Sequence, residues 1–147
     1  MKREKFLWPL SQSHQPALVA ARRVKEQLSS GAPDGEAERL EKISADMKKL
    51  YEEELRQHFW DEERILGLFE ARMGKAEPEP VRIRKEHRLL EFLLFQNTKE
   101  SLLQFAEILT QHIRWEEDVL FGRIEKVFND AENKAAGEYL QHPSTST

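Results

Sequence analysis

Two stretches combine residue types that bind metal ions. They are His58-Phe59-Trp60-Asp61-Glu62-Glu63 and His112-Ile113-Arg114-Trp115-Glu116-Glu117. Each sets a carboxylate four residues after a histidine, which on a helix is one turn along the same face. His14 and His87 precede them in matching order, so the chain reads His, His-x-x-x-Glu, His, His-x-x-x-Glu. Imidazole and carboxylate groups offered from several helices suit borderline first-row metals. Four histidines and two glutamates exceed what one tetrahedral zinc takes. They fit two ions, with Glu62 and Glu116 bridging and His14, His58, His87 and His112 as terminal ligands. Two Fe ions with a bridging oxygen are expected, with Mn or Zn as the alternatives. Positions then remain for a small gaseous or peroxide ligand. Burying Glu62 and Glu116 without a cation would cost several kcal/mol. Another two-metal pattern uses Glu-x-x-His on two helices. It is absent here, because Leu55, Arg84 and Leu109 stand three residues before His58, His87 and His112.

Four helices must position these residues. The first is expected from about Ser13 to Ser29, capped by Ser11 or Ser13, with Pro16 in its first turn, where a missing N–H costs little. Residues 1–10 form a lead-in whose Trp8 and Leu10 tuck onto the helices. Ser29 to Gly35 is a break. The second helix runs from about Glu36 to Met73. At ~100° per residue, Leu40, Ile43, Met47, Tyr51, Glu62, Ile65 and Phe69 share an arc with His58, while Glu63 lies ~140° away. Glu54 shares the arc, as a rim residue or a partner of the site. Gly74 to Pro80 is the next break, followed by a third helix from about Val81 to Gln96 that is apolar nearly all round. Asn97-Thr98-Lys99-Glu100 resembles a capping-box restart. The fourth helix then runs from about Thr98 to Asn129, with His112, Trp115 and Glu116 inward and Glu117 outside. This is an all-α, up-down-up-down four-helix bundle over residues 1–136, with 137–147 a disordered tail that includes His142. Depth is consistent with one shared zone: at ~1.5 Å per residue the first helix climbs ~24 Å from His14 and the second descends ~33 Å to His58, against ~14 and ~21 Å for the other pair.

Composition narrows the function classes. With no cysteine, disulfides, thiolate metal sites and cysteine nucleophiles are excluded, and a reducing, cytoplasmic setting fits. A net charge of −4 and scattered basic residues argue against a nucleic-acid partner. No stretch approaches the ~20 apolar residues of a spanning helix, and the charged Met1 to Leu10 segment reads as neither signal peptide nor membrane anchor.

The segments Leu10-Ser11-Gln12-Ser13-His14-Gln15-Pro16-Ala17-Leu18, His58-x-x-x-Glu62, Glu86-His87, and His112-x-x-x-Glu116 with Leu120-Phe121 resemble the hemerythrin-like (HHE cation-binding) domain family. The likeness spans about residues 7–128. It implies a non-haem di-iron centre in a four-helix bundle, held by His14, His58, Glu62, His87, His112 and Glu116. Oxygen-carrying hemerythrins have a second histidine one turn after the first on the third helix, and an aspartate five residues after the histidine on the fourth. This chain has Glu91 and Glu117 there. Glu91 is thereby a candidate seventh ligand. Fewer histidines and more carboxylate favour the ferric state, and so sensing, protection or iron handling over reversible oxygen carriage.

Three function classes follow. The first is a metal-binding module for dioxygen, nitric oxide or a related oxidant. The second is an enzyme on the same centre, acting on peroxide or nitric oxide or repairing iron centres. It ranks lower because no separate acid–base or nucleophile set is visible. The third is a structural helical interaction protein whose histidines are incidental. Trp115, on the inward arc, is a better candidate than Trp60 for lining a ligand pocket. Phe92, Leu93 and Phe95 form a homodimer face or pack beneath the lead-in.

Overall fold

The computed structural model describes residues 3–29 and 34–140, and every regular element among them is helical. A 3₁₀ turn, Lys5–Leu7, leads into α1, Trp8–Leu28. A long rod follows: α2, Glu36–Leu50, then one π-helical turn, Tyr51–Leu55, then α3, Arg56–Met73. After it come α4, Pro78–Leu94, and a second long rod made of α5, Lys99–Trp115, a π turn, Glu116–Leu120, and α6, Phe121–Val127. The chain ends in α7, Asp130–Leu140. Helix α1 packs on α5 and α2, α4 packs on α5 and α3, and α7 lies against α3 and the Lys5–Leu7 turn. Among the described residues no helix is long and apolar enough to cross a membrane.

The ends of the elements follow local chemistry. Gly74, at φ +100°, stops α3 in a conformation that only glycine adopts without strain. Pro78 opens α4 at its first position, where no N–H is needed. Asn97 turns the chain between α4 and α5 at φ 61°, and its Oδ1 accepts from Ser44 Oγ and Lys48 Nζ. The expected restart is a capping box, but Ser101 rather than a glutamate completes it: Ser101 N donates to Thr98 Oγ1 at 2.9 Å and Thr98 N to Ser101 Oγ at 3.2 Å.

The beginning and end of the chain differ from expectation. Helix α1 starts at Trp8, so Ser11 and Ser13 lie inside it and Pro16 well within it. The lead-in is therefore mostly helical, because Pro9 sits in the first turn and costs no internal hydrogen bond. Leu7 and Leu10 are buried, whereas Trp8 is about half exposed (48%). Helix α7 has no counterpart in the sequence reading. Asn129 Oδ1 accepts from Glu132 N and Asn129 N donates to Glu132 Oε1, both at 2.8 Å, a second capping box. Gly137 to Leu140, read as the start of a tail, continue this helix. His142, the rest of the tail and the break from Ser30 to Pro33 lie outside the described residues.

Two apolar clusters fill the interior. One joins Ala17 to Leu28, Ile43 to Phe59, Leu90 to Leu94 and Leu102 to Ile113. The other joins Leu7, Leu10, Ile65 to Phe69, Ile83 and Leu120 to Phe128. Phe105 is fully buried in the first. Phe105→Ala should destabilise the chain by ~3–5 kcal/mol through lost burial and the cavity left, measurable by urea unfolding. Where the two clusters meet, buried polar side chains come together: His14, His58, Glu62, His87, His112 and Glu116.

Candidate metal centre

The six side chains from these positions meet in one buried layer. His14 comes from α1, His58 and Glu62 from α3, His87 from α4, His112 from α5, and Glu116 from the π turn that follows it. None is more than 7% exposed, and Glu116 is wholly buried. They form two groups whose ligand atoms all lie within 4.8 Å of one another: His14, His58, Glu62 and Glu116, and His87, His112, Glu62 and Glu116. The two glutamates belong to both groups, one oxygen to each. Glu62 Oε2 lies 2.9 Å from His58 Nε2, and Oε1 lies 2.9 Å from His87 Nε2. Glu116 Oε1 lies 2.9 Å from His14 Nε2, and Oε2 lies 3.0 Å from His112 Nε2.

Donor chemistry fits cations. His14 Nε2, His112 Nε2, Glu62 Oε2 and both Glu116 oxygens are buried and make no hydrogen bond, despite their closeness. Their lone pairs converge on shared space rather than on one another, which is costly unless a cation is coordinated there. Each imidazole is also held from behind. His14 Nδ1 donates to Glu117 Oε2, His87 Nδ1 to Glu63 Oε2 and His112 Nδ1 to Glu86 Oε1, each at 2.7 Å. His58 Nδ1 meets Ser13 Oγ at 2.5 Å. The Ser13 proton goes to Leu10 O at 2.9 Å, so its oxygen accepts from the ring. Each ring thus has an acceptor for its Nδ1 proton, which leaves Nε2 as the atom to offer a cation; without one, His87 Nε2 donates to Glu62 Oε1 at 2.9 Å. Phe59 stacks on His87 at 4.0 Å and Phe121 on His14 at 5.7 Å, giving the layer apolar walls.

Without metal, neighbouring carboxylates favour the protonated rings of His14, His87 and His112. Burial alone would push the His14 imidazole down, but the close Glu116 carboxylate, the Glu117 hydrogen bond and the nearby Glu62 carboxylate raise its pKa to about 11. Burial likewise opposes, and carboxylates outweigh it, at His87 and His112, both raised. Burial would raise the Glu62 carboxyl, yet the adjacent His58 imidazole and the nearby His112 and His14 rings hold it well below the ordinary range. Hydrogen bonds from His112 and His14 lower Glu86 and Glu117 against the same desolvation.

Several residues take other places than the sequence suggested. Glu63 and Glu117 do point away from the centre, but not simply to solvent. They lie on flanks of their helices and reach round to the neighbouring rod's histidine, with side chains only 38% and 31% exposed. Glu91 is no member of the cluster. It is exposed, and its Oε2 accepts from Tyr51 Oη at 2.8 Å. Trp60, not Trp115, lines a cavity of about 280 Å³ beside His87, together with Tyr51, Arg56, Phe59, Glu63, Arg88 and Glu91. Trp115 is partly buried under the Arg82 guanidinium, 4.1 Å from its ring centre. Glu54 is exposed at the rim of a second cavity, beside His58. Phe92 and Phe95 are exposed, and Leu93 is buried.

The Tyr51–Glu91 bond has a measurable consequence. Burial and the Glu91 carboxylate both disfavour the phenolate and push the Tyr51 pKa up from 10.0 to about 12. The folded state therefore keeps a proton that the unfolded state loses. Stability from this bond is full below pH 10 and is lost as pH rises through about 12. In a Tyr139→Phe background, ultraviolet titration of the remaining phenol should show this high midpoint, and Glu91→Gln should move it back toward the ordinary value. An unchanged midpoint in Glu91→Gln would refute the contact.

Compared with known families, curated proteins and solved structures, the chain has no significant match.

Proposed function

We propose that this chain is a cytoplasmic hemerythrin-like protein, an up-down-up-down four-helix bundle whose buried layer holds two iron ions. One observation carries this reading: two four-ligand groups share Glu62 and Glu116, with a separate carboxylate oxygen directed to each. His14 and His58 would hold one ion and His87 and His112 the other. A histidine- and carboxylate-rich set favours iron, with manganese or zinc as alternatives. With two nitrogens and two oxygens per ion from the protein, a six-coordinate ion keeps positions for a small exogenous ligand. When bound, an iron pair supplies redox chemistry toward dioxygen, nitric oxide or peroxide. The chain's own part is to fix the ring tautomers through Glu117, Ser13, Glu63 and Glu86, and to wall the layer with Phe59 and Phe121. The carboxylate-rich surroundings support sensing, protection or iron handling over reversible oxygen carriage.

The test is metal content with the optical spectrum. Protein from iron-replete cells should carry about two irons per chain and absorb in the near ultraviolet, with a spectrum that changes when dioxygen meets the reduced form. Protein that stays iron-free after anaerobic ferrous reconstitution would sink the proposal. The cavities beside His58 and His87 favour a second reading, an enzyme on the same centre. Repeated turnover of peroxide or nitric oxide would select it.

A further inference from the structure

The two halves of the layer look alike in their ligands but not in what stands behind them. His87 is backed by Glu63, whose carboxylate also acts on the Arg84 guanidinium. His112 is backed by Glu86, which Arg82 Nε contacts at 3.0 Å. His14 is backed by Glu117, which Arg3 contacts at 3.5 Å from Nη2. His58 alone is backed by a neutral hydroxyl, Ser13 Oγ. A carboxylate on Nδ1 makes the ring a stronger donor, and such partners alter metal affinity by ~10–100-fold. Both ligand histidines of one position have this support, whereas the other position has it at His14 only.

The openings differ in the same sense. A cavity of about 220 Å³ reaches Ser13 and His58 and is lined by Glu53, Glu54 and Asp61. The cavity at His87 carries Arg56 and Arg88 beside Glu63 and Glu91. A carboxylate-lined mouth draws divalent cations, and guanidinium groups repel them.

Resting on the two-metal reading above, we propose that the two positions are unequal. The His87/His112 position fills first and holds its ion. The His14/His58 position is the exchangeable one, loaded and emptied through the acidic cavity, and Ser13 is the positioning residue that sets the difference. It acts only through His58, by accepting the Nδ1–H hydrogen bond without adding negative charge.

Zn²⁺ alone is the probe, since it is redox-silent and takes histidine and carboxylate ligands. The metal-free full chain is titrated in competition with a chromophoric chelator, and the histidine nitrogens are followed by NMR. Two equivalents should bind in two steps separated by at least ~10-fold in affinity. The first should shift the Nε2 signals of His87 and His112, and the second those of His14 and His58. Ser13→Asp, for which the adjoining cavity leaves room, should tighten the second step by ~10-fold or more and leave the first alone. Glu63→Gln should weaken the first step and leave the second. Uptake of both ions in one unresolved step, or a first equivalent that shifts His14 and His58, overturns the inequality while leaving the two-metal reading standing. Absence of uptake overturns both. Ser13→Asp that folds, judged by its helical circular dichroism, and leaves the second step unchanged removes Ser13 from the role.

Discussion

Glu116→Gln should cut the metal content from about two ions per chain to one or fewer, while the metal-free protein keeps its helical content. The amide matches the carboxylate in size, so the wholly buried site needs no repacking. What changes is charge and one donor atom. Glu116 Oε1 faces His14 Nε2 and Oε2 faces His112 Nε2, so one oxygen serves each position. An amide has a single acceptor oxygen, and its NH₂ turns hydrogens toward the other position. That position loses a ligand and gains a repelling dipole, and both lose a negative charge. The expected affinity loss at the worse position exceeds the ~10–100-fold typical of an outer partner. Elemental analysis after anaerobic reconstitution, with helical circular dichroism as control, reads the result. Full loading of a folded Glu116→Gln protein would show that Glu116 does not bridge.

How far the sequence anticipated this arrangement depends on which interactions are local. The six residues of the layer were legible because residue type and four-residue spacing are enough to place a histidine and a glutamate on one face. The end of α3 at Gly74 and the Asn97-Thr98 restart were legible, whereas Pro78, expected in the break before a helix from about Val81, opens α4. The two π turns were not. A uniform step of ~100° per residue cannot represent a wider turn, and such turns cluster at functional sites. Both fall near the layer, one ending three residues before His58 and the other beginning at Glu116 itself. The residues behind the histidines were missed for a different reason. Glu63 and Glu117 lie outside the inward arc of their own helices, and a one-helix projection equates that with solvent. Their partners, His87 and His14, come from neighbouring rods. Ser13 looked like a cap because Pro16 suggested a helix start nearby. Helix α7 did leave a local signal, Asn129-x-x-Glu132, which reads as a capping box once a second helix is allowed there.

Removing metal should lower the thermal midpoint by ~16–32 °C, the largest change expected from any single treatment of the unaltered chain. An ion that binds only the folded state contributes ~4 kcal/mol when its free concentration is a thousand times the dissociation constant. Two such positions give ~8 kcal/mol, and a chain of this size shifts by ~2–4 °C per kcal/mol. The structure says where the loss is felt. The layer of His14, His58, Glu62, His87, His112 and Glu116 lies where the two apolar clusters meet. Bound ions would take up the converging lone pairs. Without the ions, five buried donor or acceptor atoms in the layer make no hydrogen bond. The apolar clusters on either side remain, so the metal-free chain should stay helical at room temperature and melt early rather than arrive unfolded. Thermal melts by circular dichroism, before and after chelation and again after adding metal back, measure the shift. A Glu62→Gln, Glu116→Gln double variant should melt at one temperature whether or not metal is added. Superimposable melts of the metal-loaded and chelated parent protein would mean that the layer holds no ion of consequence to the fold.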